Sequence, residues 1–489
     1  MTDLILVLDA GTTSTRAMAF GRDGAVRATA QRALAQHYPQ PGWVEHDAQE
    51  IWESTLACAR EVVSGAGGAG AFAAIGITNQ RETVVAWDRA TGEPLARALV
   101  WQDRRSADFC DALRKAGHEP EVQRKTGLLL DPYFSATKMR WLLDHSGEVA
   151  AAARAGTLAL GTVESWLVWK LTGGTHVSDA SNASRTLLLA LDGVQFDPGL
   201  CELFGVPRAA LPEVVDCAGE FGITTPGLFD AMLAIRGLAG DQQAATVGQG
   251  CLAPGEVKST YGTGAFVLAN MGEALPRSAN RLLGTVLTQL AGKRTFALEG
   301  SVFVAGSLIQ WLRDSLGVIA SAAETAALAA SVPDAGGVVL VPALSGLGAP
   351  HWRPEARAAL TGMSFATTRA HLARAALEAT ANQTSDLMDA FAADGAPWAS
   401  LKIDGGMSAN DWLAQDLADV LGIAVERPAM VETTALGAAM LAATASGWFP
   451  GLRAAAAAMR GAVRRFEPGM GEAVRQARFD AWREALAKV

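Results

Sequence analysis

Three short glycine-bearing turns constrain the fold of this chain most strongly. They occupy residues 9–14 (Asp-Ala-Gly-Thr-Thr-Ser), 261–264 (Tyr-Gly-Thr-Gly) and 404–407 (Asp-Gly-Gly-Met), and each follows a run of apolar or β-type residues. Glycine lets a backbone approach a ligand closely, and successive N–H groups in a tight turn form a concavity that binds anions. The threonines of the first two turns suit the two sides of a polyphosphate, and the third turn suits a nucleoside. Three such turns in this order predict a nucleotide cleft between two halves of the chain.

Length, charge and cysteine content limit the class of protein further. The 489 residues are enough for two or three domains of about 150 residues each. The net charge of −9 argues against a nucleic-acid or anionic-membrane partner. The five cysteines are widely spaced and show no zinc-ligand pattern, which fits a reducing compartment. The sequence shows neither a basic n-region at its start nor an apolar stretch of membrane-spanning length, so we expect a cytoplasmic protein.

Strand and helix patterns alternate along the first half. Residues 4–9 and 16–20 predict two strands joined by the first turn. Asp47 and Glu50 resemble a capping box, and the apolar residues that follow repeat at helical spacing. Residues 73–78 predict a buried strand that runs into the polar cluster Asn-Gln-Arg-Glu. Open α/β sheets bind their ligands at strand ends of this kind, so the cluster is a candidate site.

The second half repeats this order of elements. Strands are predicted on both sides of the second turn, followed by a hairpin about Gly292 and by a helix that carries Ile309, Leu312 and Leu316. A long helix follows and ends near Gly395. The repetition of strand, turn, strand and helix favours an internal structural duplication. We place the boundary in the glycine- and proline-bearing stretch that begins at residue 248, giving an N-terminal domain of residues 1–247 and a C-terminal domain of residues 248–489.

One motif is misleading and another is missing. Residues 65–70 (Gly-Ala-Gly-Gly-Ala-Gly) match the dinucleotide-binding fingerprint, but they follow a predicted helix and precede a strand, which is the reverse of the order that the fingerprint requires. We interpret them as a loop. The sequence also lacks the lysine-bearing motif of P-loop nucleotide hydrolases.

Two aspartates are candidates for the chemistry. Asp9, in the first turn, could hold a Mg²⁺-bound water near the phosphates, and the alternative is an ordinary hairpin. Asp241 follows a predicted strand that ends at Gly240, where its carboxylate could accept the proton of an attacking hydroxyl. An aspartate after glycine is also a common structural feature of turns.

The polar cluster and two aromatic residues are candidates for a small polyol pocket. Arg81 and Glu82 supply donors and acceptors side by side, which suits adjacent hydroxyl groups, and the alternative is a solvated ion pair. Trp101 and Tyr133 stand in polar surroundings, where they could form the wall of a pocket or simply pack.

With these residues assembled, the chain resembles the FGGY carbohydrate kinases of the actin-like ATPase superfamily, and among them the glycerol kinases. The resemblance covers almost the whole length, and its most specific stretches are residues 41–47 (PGWVEHD), 76–83 (GITNQRET), 100–102 (VWQ), 131–135 (DPYFS), 239–243 (AGDQQ), 260–264 (TYGTG) and 310–314 (QWLRD). It implies an α/β fold with two actin-like (ribonuclease H-like) domains and an interdomain cleft for nucleotide and substrate.

The resemblance also implies a role for individual residues. Those expected to hydrogen-bond the glycerol hydroxyls are Arg81, Glu82, Tyr133, Asp241 and Gln242, and those expected to cover its carbon edge are Trp101 and Phe266. Asp241 is also the expected general base. The expected phosphate contacts are Thr12, Thr13, Ser14, Arg16 and Thr263, and the expected adenosine contacts are Gly306, Gln310, Gly406, Met407 and Asn410. Asp9 and Asp241 are expected to hold Mg²⁺ through water.

The implied activity is ATP- and Mg²⁺-dependent phosphorylation of glycerol to sn-glycerol 3-phosphate. A kinase for another polyol or ketose, such as erythritol or xylulose, is the nearest alternative. An actin-like nucleotide switch is a more distant one, and it would hydrolyse ATP without a polyol. We expect a homo-oligomer, a dimer or a tetramer, with a small-molecule substrate and no nucleic-acid or membrane partner.

The chain departs from the family pattern at several places. Ala10 replaces a common glutamine in the first turn, and His351 and Arg353 replace a common tyrosine and aspartate outside the predicted pocket. Residues 221–237 lack both the loop that binds fructose 1,6-bisphosphate in some relatives and the histidine that is phosphorylated in others. Gly471 stands where a glutamate helps to bind a sugar-transport regulator through zinc. We therefore expect catalysis without these regulatory inputs.

Overall fold

The first half contains a five-stranded sheet and several helices. The structure is a computed structural model, and it describes residues 2–353 and 355–489. The elements up to residue 248 are β1 Leu4–Ala10, β2 Ser14–Gly21, β3 Val26–Ala33, β4 Glu45–His46, α1 Ala48–Gly65, β5 Phe72–Asn79, β6 Val85–Asp88, β7 Ala98–Leu99, α2 Ala107–Lys115, α3 Glu119–Thr126, α4 Ser135–His145, α5 Gly147–Ala155, β8 Leu158–Gly161, α6 Val163–Thr172, β9 Val177–Asp179, α7 Ala180–Ala183, α8 Pro198–Phe204, β10 Glu213–Val215, β11 Ile235–Gly240 and α9 Asp241–Gly248.

The main sheet of this half has the strand order β11-β5-β1-β2-β3. β1 pairs with β2 in antiparallel register and with β5 in parallel register, and β11 is parallel to β5. Successive side chains of a strand point to opposite faces. Leu6 and Leu8 accordingly pack in the same core as α1 and α6, while Ile5 and Val7 pack in a separate core on the other face.

The second half contains a seven-stranded sheet. Its elements are β12 Glu256–Tyr261, β13 Ala265–Gly272, β14 Leu283–Leu290, β15 Lys293–Val302, α10 Gly306–Asp314, α11 Glu324–Ala330, β16 Val339–Val341, β17 Ala359–Thr361, α12 Arg369–Ala393, β18 Ser400–Asp404, α13 Asp411–Leu421, β19 Val425–Pro428, α14 Thr433–Ala445, α15 Leu452–Met459, β20 Val463–Phe466 and α16 Glu472–Leu486. The order is β14-β15-β13-β12-β18-β19-β20. The central five strands repeat the order and directions of the first sheet, with β12, β13 and β15 antiparallel and β18 and β19 parallel. The fold therefore contains the internal duplication that the sequence favoured.

Helix α14 joins the two halves. It follows β19 in the second half, but its side chains pack with Ile5 and Val7 on the outer face of the first sheet. Backbone contact is very close: a Cβ atom on Gly437 would lie 1.8 Å from the carbonyl oxygen of Ala244 in α9, and one on Gly76 would lie 2.6 Å from that of Ala438. Only glycine permits such an approach. The end of β5 and the start of α9 are therefore held against an element of the second half.

Most of the predicted elements are confirmed, with two differences. Asp47 caps α1 through the N–H groups of Gln49 and Glu50, but the Glu50 side chain accepts from Ala35 N–H, so the reciprocal half of a capping box is absent at this position. The helix predicted to carry Leu316 ends at Asp314. The fingerprint-like stretch lies between α1 and β5, as the loop interpretation requires. Among the described residues, no helix combines the length and apolarity needed to cross a membrane.

Candidate active site

The first turn connects β1 to β2 at the edge of the cleft. Its backbone closes through a hydrogen bond from Gly11 N–H to the carbonyl of Ser14 at 3.0 Å. The Thr12 hydroxyl accepts from the indole N–H of Trp101 at 2.9 Å, and the Ser14 hydroxyl accepts from the Gln31 amide at 2.9 Å. Thr13 is exposed. The turn is therefore fixed on one side and leaves backbone and a threonine open on the other.

The second and third turns pack against each other in the other half. Gly405 has a φ of +85°, and a Cβ atom there would lie 2.6 Å from the carbonyl oxygen of Tyr261. A Cβ atom on Gly306 would lie 2.5 Å from the carbonyl oxygen of Gly262. A Cβ atom on Gly406, by contrast, would meet no atom within 4 Å. Glycine is thus required for packing at the first two positions, while Gly406 faces open space.

One cavity of about 630 Å³ brings together predicted residues from both halves. Its lining includes Thr12 and Thr13 of the first turn and Thr263 of the second. The aromatic residues predicted for the polyol pocket, Trp101, Tyr133 and Phe266, line the same cavity. The rings of Trp101 and Tyr133 meet edge to face with centroids 5.7 Å apart, which holds both in place. The first two glycine-bearing turns and the three aromatic residues therefore share one space.

Arg81 and Glu82 are buried, so their interpretation as a solvated ion pair is wrong. They are 3% and 1% exposed, and each has a partner other than its neighbour. Glu82 accepts from Arg185 Nε at 2.6 Å, whereas Arg81 Nε lies 3.9 Å from Glu82. Glu82 also has a φ of +59°, a backbone conformation that residues other than glycine seldom adopt. Such conformations cluster at functional sites. Arg81 donates toward the Tyr133 hydroxyl at 3.4 Å, which places it behind the aromatic pocket.

Asp241 is the first residue of α9, and its side chain is about one-third exposed. Its Oδ1 lies 3.2 Å from Arg81 Nε and accepts from the N–H of Gln242 at 2.7 Å. Burial raises the pKa of Asp241, and the charges of Arg81 and Lys258 oppose this shift. A carboxylate with a raised pKa at the cleft is a more capable proton acceptor than an ordinary aspartate. Gln242 beside it accepts from Lys258 Nζ at 2.5 Å.

Asp9 and Arg16 form a charged bridge between the first turn and α14. Arg16 donates to Asp9 at 2.6 Å and to Glu432, which precedes α14, at 2.5 Å. Burial raises the pKa of Asp9 although Arg16 opposes it, and the Asp9 charge in turn raises the pKa of Asp241. Two carboxylates whose charged forms are destabilised by burial and by a neighbouring carboxylate suit a nearby divalent cation.

The described residues contain no group of three acidic, histidine or cysteine side chains that could hold a metal ion by themselves. A Mg²⁺ ion at Asp9 and Asp241 would therefore take most of its ligands from water and from phosphate oxygens. Mg²⁺ usually binds in this way beside phosphates, with one or two carboxylates, so the residues fit the ion.

The residues predicted to contact adenosine lie together around the third turn and the start of α10. A Cβ atom on Gly306 would lie 3.6 Å from the Met407 side chain, and Gln310 is exposed one turn further along α10. The Asn410 side chain is engaged on both sides, because it caps α13 through Leu413 N–H and donates to the Thr325 hydroxyl. Its carbonyl and amide groups thus hold α13 to α11.

Two family models match most of the chain. The N-terminal domain of the FGGY family of carbohydrate kinases matches residues 4–248, and the C-terminal domain of that family matches residues 257–446. The chain belongs to the FGGY family of carbohydrate kinases. A glycerol kinase of Rhodospirillum rubrum is 54% identical over 491 residues, which cover 99% of this chain and 98% of the relative. A glycerol kinase of Cereibacter sphaeroides is 53% identical over 488 residues, which cover 99% of both.

Solved structures of FGGY kinases share the whole architecture. The crystal structure of Plasmodium falciparum glycerol kinase with ADP matches with a TM-score of 0.95 and 33% identity, and the match covers 100% of this chain and 98% of the other. The two-domain actin-like fold that the resemblance implied is therefore confirmed.

Several residues at this FGGY-kinase cleft were missed by the sequence reasoning. Glu299 and Arg185 are fully buried partners of Arg81 and Glu82, and Lys258 is a buried cation beside Asp241. Trp352 also lines the cavity. It stands between His351 and Arg353, the two positions that depart from the family pattern, and the His351 side chain pairs with Asp386. The available signal was a charged residue inside a predicted buried strand. Lys258 lies inside such a predicted strand, whereas Glu299 directly follows one and lies inside β15 of the structure.

Proposed function

We propose that this protein is a glycerol kinase, which transfers the γ-phosphoryl group of ATP to a terminal hydroxyl of glycerol and releases sn-glycerol 3-phosphate and ADP. The observation that carries the proposal is the single cavity that Thr12, Thr13 and Thr263 share with Trp101 and Tyr133. The Arg81 guanidinium lies behind its aromatic part, 3.4 Å from the Tyr133 hydroxyl. The similarity to glycerol kinases over 99% of the chain supports the same substrate.

Polyol recognition requires donors and acceptors that do not move when the substrate binds. Arg81 and Glu82 meet this requirement because each is buried and tied to a fixed partner. Burial raises the pKa of the Tyr133 phenol, so its hydroxyl stays neutral and can both donate and accept. Trp101 and Phe266 supply apolar surface for the carbon chain. Such a site rejects molecules that lack a hydroxyl, because its buried polar groups would stay unpaired.

Phosphoryl transfer then needs a proton acceptor and anion stabilisation. Asp241 accepts the proton of the attacking glycerol hydroxyl, whose oxygen forms a bond to the γ-phosphorus while the bond to the β-phosphate oxygen breaks and ADP leaves. In the turns around Gly11 and Gly262, the two glycine N–H groups donate within the turn, to Ser14 and Gly264. The phosphate oxygens on either side are therefore stabilised by the neighbouring N–H groups and threonine hydroxyls of these turns. Mg²⁺, held through water by Asp9 and Asp241, would neutralise charge on the transferring phosphates.

The test is an ADP-release assay over glycerol, dihydroxyacetone, erythritol, xylulose and gluconate, with ATP and Mg²⁺. We expect glycerol to give the highest kcat/KM and ADP release without a polyol to be negligible. A higher kcat/KM for another substrate would reject glycerol as the substrate and keep the kinase class. Fast ATP hydrolysis without any polyol would instead favour a nucleotide switch.

The role of Asp241 is tested by Asp241→Asn in the same assay. Loss of a general base lowers kcat by about 10²–10⁴-fold, and we expect KM for glycerol to change much less because the amide keeps the size of the side chain. A near-normal kcat for a folded variant would reject Asp241 as the base.

A further inference from the structure

A cluster of buried charges joins the two halves behind the polyol pocket. Glu299, on β15 of the second sheet, is 0% exposed. It accepts two hydrogen bonds from Arg81, at 2.6 and 3.1 Å, and a third from Arg185 at 3.2 Å. Arg81 follows β5 and Arg185 follows α7, so both cations belong to the first half. The paired hydrogen bonds from Arg81 to Glu299 therefore cross the seam between the domains.

Glu299 is connected, through one arginine in each case, to three of the predicted polyol residues, which are Asp241, Glu82 and Tyr133. Arg81 uses its terminal nitrogens for Glu299 and its Nε for Asp241, at 3.2 Å. Arg185 also donates to two carboxylates, from Nη2 to Glu299 and from Nε to Glu82 at 2.6 Å. Arg185 also lies 5.7 Å from the ring centroid of Tyr133. One carboxylate of the second half thus fixes the orientation of two buried guanidinium groups, each of which also contacts Tyr133 of the cavity wall.

The charges of the cluster balance only when Glu299 is ionised. Its carboxylate, Glu82 and Asp241 face the cations Arg81, Arg185 and Lys258. Burial alone would raise the pKa of Glu299, but the two guanidinium groups outweigh it and lower the pKa to about 2. Without this carboxylate, the terminal nitrogens of Arg81 would keep only their longer hydrogen bonds, to Gln243 at 3.3 Å and to the Tyr133 hydroxyl at 3.4 Å. The buried guanidinium would then turn toward the other charged acceptors beside it, which include Asp241 and Glu82.

We propose that Glu299 is a positioning residue of the polyol site, which holds Arg81 and, through Arg185, Glu82 in their substrate-facing orientation when the two halves are docked. This inference rests on the proposed function, since it assigns these groups to polyol binding. A second carboxylate offers a matched comparison. Asp416 is 5% exposed and accepts two hydrogen bonds from Arg478, at 2.6 and 2.8 Å, but this pair joins α13 to α16 within the second half.

The experiment compares Glu299→Gln, Glu299→Asp and Asp416→Asn, using the best substrate of the panel above. For Glu299→Gln we expect kcat/KM for the polyol to fall about 100-fold, as for a displaced substrate-binding group, with KM for ATP within about twofold of the parent value. Glu299→Asp keeps the charge and should recover part of the loss. Asp416→Asn should lower the melting temperature but leave both kinetic constants of the folded enzyme unchanged.

Two results would overturn the inference. One is a folded Glu299→Gln enzyme with polyol kcat/KM within about threefold of the parent, and the other is an equal loss for ATP and polyol, as expected from a merely structural role. If Glu299→Gln does not fold, Arg185→Gln and Glu299→Asp decide: a raised polyol KM at normal ATP KM supports the inference, and unchanged constants reject it. Failure of the glycerol assignment is seen separately, in the parent enzyme, as a different preferred substrate.

Discussion

The ammonium group of Lys258 lies 2.5 Å from the side-chain oxygen of Gln242, the residue next to Asp241. Lys258 is fully buried on β12, and its second acceptor is the Thr260 hydroxyl at 2.8 Å. Burial and the charge of Asp9 raise the pKa of Asp241, and the positive charges of Arg81 and Lys258 oppose this rise. A cation from the second sheet therefore acts on the proposed base of the first half.

Replacing Lys258 by glutamine should move the acidic limb of the pH–rate profile to higher pH. Asp241 must be deprotonated to act as a base, so kcat/KM falls as the pH drops through its pKa. Removing the nearby positive charge raises that pKa further, and the limb shifts upward. Lys402→Gln is the matched control. Lys402 is buried on the neighbouring strand and pairs with Glu256 instead. A limb that stays in place for Lys258→Gln would show that the charge of Lys258 does not reach the base.

The two carboxylates on Arg16 should differ in their effect on Mg²⁺. Asp9 and Glu432 accept from the same guanidinium, but Asp9 acts electrostatically on Asp241. For Asp9→Asn we expect the Mg²⁺ concentration at half-maximal rate to rise about tenfold or more, as for loss of an outer-shell ligand. Glu432→Gln should leave this concentration unchanged. Equal effects of the two substitutions in a Mg²⁺ titration would contradict a metal role for Asp9.

Gly406→Ala should weaken ATP binding without destabilising the fold. A Cβ atom at Gly406 would meet no atom within 4 Å, so the added methyl group can only obstruct what enters the cleft there. We expect a higher KM for ATP and an unchanged melting temperature. Gly65→Ala is the control, because Gly65 is equally open at the far end of α1 and belongs to the fingerprint-like loop. An effect of Gly65→Ala on KM for ATP would refute the loop interpretation.

Fructose 1,6-bisphosphate should have no effect on turnover. Arg236 is the cation among residues 221–237, and its guanidinium is already used by Glu220 at 2.9 Å and by the carbonyl of Ala445 at 3.4 Å. One engaged arginine does not provide a site for two phosphate groups. Allosteric effectors usually change affinity by about 5–150-fold, so we expect turnover to stay within about twofold at millimolar bisphosphate. Strong inhibition in that assay would reveal a regulatory site elsewhere on the protein.

Local elements could be predicted from the sequence, because the glycines that a tight turn requires are adjacent in the chain. The strand, turn and strand at residues 4–21, the second turn and the position of Asp241 after a strand all follow from nearest-neighbour patterns. The same reasoning did not predict where α10 ends or which sheet α14 packs against. The small residues of α14 carry no signal for the sheet that they cover, since the close approach at Gly437 depends on Gly248 and α9 as well.

The sequence by itself determined the fold class and the three turns, because the patterns that indicate them involve residues that are close together in the chain. Only the tertiary structure decided how the charges pair. Arg81 and Glu82 are neighbours in sequence, yet Arg81 binds Glu299, which is 218 positions away, and Glu82 binds Arg185. Buried charges must find opposite charges wherever the packing of the two sheets provides them. That packing gives two adjacent polar residues separate buried partners in different parts of the chain.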